Sequence, residues 1–477
     1  MKFFKLFSTS LFFRNNSILI LLLCFASRIS STIYYFEDID SIRFAMAAYD
    51  FDVLNSRPHF PGYPIFCFIS QIILLFTDNI ALTFSLIGST STFIIIYFSD
   101  KIWQFYFKKQ NLFFLSILFF NPFLWLMSNR YMPDLFALSL LVSGVFYLIK
   151  ILNDSSIKNN LILGIIISLL FGVRVSYIPF FIPIIFLLSK NTKFLIISFL
   201  LTTIIWLTPF IYLTGVDEIL ELFKNDSHGH FYRWGGTIIS SDASLVDRLV
   251  RIFYFLGVDL FSFWSDNRHW LTIINSLLIF LAIIFFFKSN IKKVKKLNVK
   301  LLFCCFLIYF LWVLMFQNIQ YKPRHLLPFI PMFCFLISLG ANSIHKKTKN
   351  RIFFPLSLII VHAFITINLV SQHKKMSAIS QIQSFLQKEK NDVVVISDDL
   401  KLFYWKSHFN NKNIKYYNYD GFNKLIKQNQ ISDETIIYST ETINHNLYKK
   451  IDSQHFYHNP HVNRLWSKLT LNKYEKN

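Results

Sequence analysis

Of the chain's 477 residues, 54% are hydrophobic and 18% aromatic, with phenylalanine alone supplying 57. That much apolar side chain, gathered in runs long enough to cross a bilayer, excludes an ordinary soluble domain and indicates an all-α polytopic membrane protein. The formal charge of +21 does not indicate a nucleic-acid partner, because the basic residues sit mostly in short loops between apolar runs, where they set topology. The five cysteines (Cys24, Cys67, Cys304, Cys305, Cys334) all lie in apolar segments without metal-ligand spacing, so no structural disulfide is expected.

Lys2, Lys5 and Arg14 precede the first run, and no small-x-small cleavage site follows it, so the chain is expected to keep its first helix. Apolar runs fall near 17–34, 61–77, 80–99, 112–128, 134–152, 161–173, 177–189, 194–213, 270–288, 300–317, 326–342 and 352–370. If all twelve crossed, Lys101, Lys108 and Lys109, together with Lys292, Lys293, Lys295 and Lys296, would face outward. Laying 61–77 on the outer surface brings the basic loops inside and leaves nearly all acids before residue 370 outside, Asp100 and Asp154 excepted. That run is also a poor span. It opens on two prolines and a glycine, carries Ser70 and Gln71, and at ~1.5 Å per residue falls short of a ~30 Å core. The expected layout is about 11 transmembrane helices, with the N-terminus cytoplasmic and the C-terminus outside.

Two long outer loops result, 35–79 and 214–269, and part of the second, 245–264, is amphipathic enough to lie at the interface as the 61–77 helix does. Loops at membrane depth must line a cavity or be buried in protein, so two on one face indicate a roofed cavity there. From 372 to 477 the composition turns polar. A helix at Ser377–Lys388 leads to strands at Val393–Ile396, Ile414–Tyr419 and Thr435–Tyr438, with a helix at Phe422–Gln428. This alternation predicts a small soluble α/β domain on the outer face beside a membrane domain of 1–371. It has no Gly-rich phosphate loop, so nucleotide binding is not supported.

The groups that could do chemistry gather on the outer side. Glu37, Asp38 and Asp40 crowd the first membrane boundary, a costly placement for carboxylates unless they act or are solvated. Asp134 follows Pro133 at a helix start, which by itself suits helix capping; paired with a carboxylate of the first loop on the same side, it becomes a candidate catalytic residue that positions substrate. Arg174, Lys322, Arg324 and His325 face the same side; arginine suits phosphate, although a snorkelling anchor explains such a residue too. His59 and Tyr63 either shape a sugar pocket or pack a turn. His228 and His230 either contact substrate or cover the cavity. Asp40 and Asp134 alone do not make a coordination sphere, which leaves a divalent metal open. Nucleotide sugars are cytoplasmic, so an outer-face base beside phosphate-binding cations points to a donor already carried across on lipid.

Several motifs agree in order with a known family. Asp40 is followed by Phe44-Ala45, and then His59-x-Pro61-Gly62-Tyr63-Pro64, with Phe60 where a related branch has proline. Asp134 and Arg324-His325-Leu326-Leu327-Pro328 come later. Across roughly 17–345 the chain resembles the GT-C superfamily of polyprenyl-phosphate-sugar-dependent glycosyltransferases. Within it the chain lies near the family-39 group of protein O-mannosyltransferases and lipid A aminoarabinose transferases. That group often has Glu after the first Asp, and this chain has Ser41.

The resemblance implies an inverting glycosyltransferase of the bacterial inner (cytoplasmic) membrane with Asp40 as general base. Its partners would be a polyprenyl-phosphate-linked sugar donor, membrane lipids and an acceptor protein, lipid or glycan. Rival readings are an O-antigen polymerase or ligase, a lipid-linked glycan transporter, and a non-enzymatic assembly subunit. The transporter would need ionisable groups near mid-bilayer, where the spans are almost purely Phe, Ile and Leu.

Overall fold

The computed structural model describes residues 10–186, 191–289, 300–347, 353–389, 391–408, 413–428, 435–443, 445 and 447–476. Lys2, Lys5, Lys292, Lys293, Lys295 and Lys296, used above to orient the chain, lie outside the described residues. Two compact units emerge: one comprises Met1–Thr32 and Met46–Val370, the other Ile33–Ala45 and Ser371–Asn477. This differs from the expected 1–371 and 372–477 in grouping residues 33–45 with the C-terminal region.

Among the described residues of the first unit the apolar runs are largely helical: α1 Ser10–Ser30, α3 Pro64–Thr77, α4 Ile80–Phe107, α5 Leu112–Phe119, α6 Pro122–Asn129, α7 Asp134–Asn153 and α8 Ile157–Val173. A 3₁₀ segment, Val175–Phe186, follows, and then α9 Thr192–Thr214, α10 Val216–Tyr232, α11 Leu245–Tyr254, α12 Leu271–Ser289, α13 Lys300–Phe316 and α14 Phe329–Lys347. α15, Phe353–His373, begins in this unit, and α2, Ile39–Tyr49, ends in it.

Among the described residues five stretches are long and apolar enough to cross a membrane: Ile80–Phe107, Asp134–Asn153, Thr192–Thr214, Leu271–Lys288 and Phe353–Leu386. The run read as one span over 112–128 is two helices bent by 50°. Asn121 caps the second helix through Leu124 N, and Pro122 opens it without needing an N–H donor. The remaining apolar runs form shorter helices, and Pro64–Thr77 has 14 residues.

α4 packs on α1 and α7, α7 on α8, α8 on α9, and α12 on α14. Gly340 lets α14 approach α12 closely, since a Cβ there would stand 1.8 Å from the Ala282 carbonyl oxygen. With no hydrophobic drive between helices in lipid, such small residues allow the close packing that holds them. α9 leaves Ile204 and Ile205 exposed, a surface suited to acyl chains and costly in water.

The second unit builds a five-stranded sheet in the order β2-β1-β3-β5-β4. Its strands are β1 Val393–Ile396, β2 Ile414–Tyr417, β3 Ile436–Ser439, β4 Tyr448–Tyr457 and β5 Lys468–Lys476. β1 pairs in parallel with β2 and β3, Val393 lying opposite Ile414 and Ile436. All four β1 residues are buried, as a central parallel strand requires. α16 Ala378–Leu386 precedes β1, and α17 Asp399–His408 and α18 Tyr419–Lys427 form the crossovers. β3–β5 and β5–β4 pair antiparallel. Val394, Ile396, Phe422, Ile437 and Tyr474 belong to one buried apolar cluster of this unit.

Candidate active site

In the first unit Asp134 is the centre of a buried ionic cluster. Pro133 holds the N-cap position and Asp134 is the first helical residue of α7, so the capping position considered from sequence is not its own. Arg174 ends α8 as its C-cap, where a cation also meets the negative end of the helix dipole. Its Nη1 stands 2.8 Å from Asp134 Oδ1, and Arg324 Nε stands 3.7 Å from the same oxygen. Both guanidiniums and the carboxylate are largely shielded from solvent.

A 3₁₀ turn, Pro323–Leu326, carries Arg324 and His325, with Lys322 at its N-cap. Arg324 Nη1 donates to Met132 Sδ at 2.9 Å. Arg174 Nη2 donates to His325 Nδ1 at 3.3 Å. An imidazole nitrogen that accepts leaves the proton on the other, so His325 is neutral with hydrogen on Nε2. Burial pushes its pKa well below the ordinary histidine value, and the charges of Arg174, Arg324 and Lys322 add to that. Tyr309 Oη donates to the His325 carbonyl at 2.7 Å. Tyr177 sits edge-on to Tyr309 and 5.2 Å from the Arg174 guanidinium carbon.

These four groups carry two positive charges and one negative, with His325 uncharged. An apolar cleft lies among Phe114, Val142, Val145, Phe306, Pro328 and Phe335 of the same unit. Pro328 is three residues beyond His325 in the chain.

Of the other predicted residues in this unit, His59 and Tyr63 bond to each other, Nε2 to Oη, at 3.1 Å. The turn they close is braced by Arg57, which pairs with Asp50 and Asp52. His228 stacks on Tyr232. His230 reaches the Phe316 carbonyl, its Nε2 2.9 Å from that oxygen.

In the second unit Glu37 pairs with His373, Oε1 to Nε2, at 2.7 Å, both side chains almost fully buried. Asp38 caps α2: its Oδ1 accepts from Ser41 N at 2.9 Å while Ser41 Oγ accepts from Asp38 N at 3.0 Å. Asp40 therefore stands in the first turn of α2, 6% exposed. Phe36 O accepts from Tyr404 Oη at 2.7 Å and Ser380 Oγ at 2.8 Å.

Tyr177, Tyr309 and Met132 escape the sequence reading. Only Tyr177 carries a local signal, three residues beyond Arg174. Among the described residues no group of three or more His, Cys, Asp or Glu side chains is gathered to hold a metal ion.

No family model and no curated protein sequence matches the chain. Solved structures do. ArnT from Cupriavidus metallidurans bound to undecaprenyl phosphate aligns over 97% of this chain and 98% of its own, with a TM-score of 0.57 at 10% identity. The apo form of ArnT from the same organism aligns over 96% of this chain and 98% of its own, with a TM-score of 0.55 at 11% identity. The chain thus has the fold of ArnT.

Proposed function

We propose that the protein is a membrane glycosyltransferase that moves a sugar from a polyprenyl-phosphate donor to an acceptor on the outer face of the bacterial cytoplasmic membrane, with inversion. The observation that carries this reading is the convergence of Arg174 and Arg324 on the single carboxylate of Asp134. A cluster with more positive than negative charge suits a phosphate, and Lys322 beside it adds a further cation. The apolar cleft lined by Val142, Phe306 and Phe335 suits an isoprenoid chain. The ArnT structure bound to undecaprenyl phosphate supports a lipid of that class.

Asp40 is the general base. Its carboxylate takes the proton of an acceptor hydroxyl or amine, whose lone pair bonds to the anomeric carbon. The bond from that carbon to the phosphate oxygen breaks, and its electron pair leaves with the polyprenyl phosphate. Arg324, with Lys322 and Arg174, stabilises the charge that develops on the phosphate. Asp134 holds the two guanidiniums in place. His59 and Tyr63 shape the sugar pocket. Eleven crossings, N-terminus inside and C-terminus outside, complete the arrangement; the 14-residue length of Pro64–Thr77 supports laying it at the interface.

A transfer assay with radiolabelled polyprenyl-phosphate sugar tests this. Asp40→Asn is expected to lower turnover by about 10²–10⁴-fold at unchanged protein level, the range for losing a general base. Wild-type turnover in that variant removes Asp40 from the mechanism.

A further inference from the structure

The last four carbonyls of a helix have no partner within it. At the end of α13 those of Leu314, Met315 and Phe316, and of Gln317 just beyond it, are all taken by the segment between α9 and α12. Arg248 Nε donates to Leu314 O at 2.6 Å, and its Nη2 donates to Gln317 O at 2.9 Å. The backbone N–H of Ile238 donates to Met315 O at 2.9 Å. His230 Nε2 faces Phe316 O at 2.9 Å. A carbonyl can only accept, so that nitrogen carries the proton. Burial lowers the His230 pKa and the charge of Lys322 lowers it further, against the bond to Phe316 O, which raises it. A neutral donor there does not repel the lysine.

The cap is built to hold one geometry. Arg248 is 1% exposed, and its Nη1 also donates to Gly236 O at 2.8 Å, binding the loop to itself. A cation at a helix C-terminus is favoured by the dipole as well. Gly236 has a φ of 60°, and a Cβ on it would stand 2.9 Å from Asn318 Cγ, so a side chain is unwelcome on both counts. Asn318 Oδ1 in turn accepts from the amides of Gln320 and Tyr321 at 3.1 and 3.3 Å, turning the chain toward Lys322. At the far end Tyr309 holds the His325 carbonyl.

We infer that His230 and Arg248 are positioning residues: by capping α13 they fix where the chain leaves that helix, and so where the turn bearing Lys322 and Arg324 is presented. The inference rests on the phosphate-binding role proposed above for that turn. It assigns the second outer loop a task on its own side of the reaction, as the brace of the cationic turn.

Two readouts on the full chain in lipid nanodiscs test it: the Kd for undecaprenyl phosphate, and amide hydrogen exchange over residues 318–327. His230→Ala is expected to weaken binding about five- to tenfold, as the loss of one buried hydrogen bond would, and to speed exchange over that segment. His230→Gln, which returns an amide donor to the same carbonyl, is expected to restore both. Arg248→Met should exceed His230→Ala in both readouts; should it fail to fold, the His230 pair decides alone. Unchanged exchange in His230→Ala overturns the brace, and so does faster exchange at wild-type Kd while Arg324→Gln weakens binding. If Arg324→Gln binds as tightly as wild type, the phosphate reading falls instead, and faster exchange in His230→Ala still supports the cap.

Discussion

Replacing Asp134 with Asn removes the carboxylate on which two shielded guanidiniums converge. At an effective dielectric of about 20, Coulomb attraction comes to about 6 kcal/mol for the Arg174 contact at 2.8 Å and about 4.5 kcal/mol for the Arg324 contact at 3.7 Å. Desolvation offsets much of that, and breaking a buried pair from one side typically costs about 3–5 kcal/mol. At ~2 °C per kcal/mol for a chain of this size, the midpoint of thermal unfolding should fall by about 6–10 °C. The sharper test is a pair of double-mutant cycles read by that midpoint and by denaturant. Asp134→Asn with Arg174→Met should show a coupling near the top of the usual range of about 0.5–3 kcal/mol, and Asp134→Asn with Arg324→Met a smaller one. A coupling under about 0.5 kcal/mol between Asp134 and Arg174 would mean that the carboxylate does not organise the cluster.

Two further expectations concern titration and anchoring. His325 resists protonation in the folded protein more than in the unfolded chain, so stability should decline as pH falls below about 6.5, by at most about 1.4 kcal/mol per pH unit while the folded residue stays neutral. His325→Gln should flatten that part of the pH profile, measured by thermal unfolding; an unchanged slope refutes the assignment. Glu37→Gln should weaken the buried contact with His373 by about 1–3 kcal/mol and speed amide exchange over residues 33–45. Protection equal to wild type there would deny the pair a role in holding the segment.

Much of the membrane unit was legible because a long apolar run has few alternatives to a helix, and the described parts of these runs are mostly helical. The break at Asn121 was written in the sequence as Asn followed by Pro, a helix-start signal that continuous hydropathy masked. In the C-terminal region, β1, β2 and β3 stood out as compact strand patterns. β4 did not, because Tyr448–Tyr457 is mostly exposed and alternates poorly. α17 was also missed, its apolar residues mixed with charge over Asp399–His408.

The candidate site was legible in its charged members and illegible in their partners. Arg174 and Arg324 announce themselves by charge at a membrane edge. That both would meet Asp134, or that Glu37 would meet His373, depends on contacts across 40 to 336 residues of chain, for which a single sequence holds no local signal. His230 shows the same limit from the other side. A histidine in an outer loop reads as a ligand contact, and the carbonyl it serves belongs to a helix 86 residues away.

The carbonyl of Phe36, held from Tyr404 and Ser380, lies four positions before Asp40. A hydropathy plot invites the engineer to trim everything after the last apolar run as a dispensable tail. Doing so would strip away the hydroxyls that moor this strip of the first loop, leaving the carboxylate four residues on without its berth.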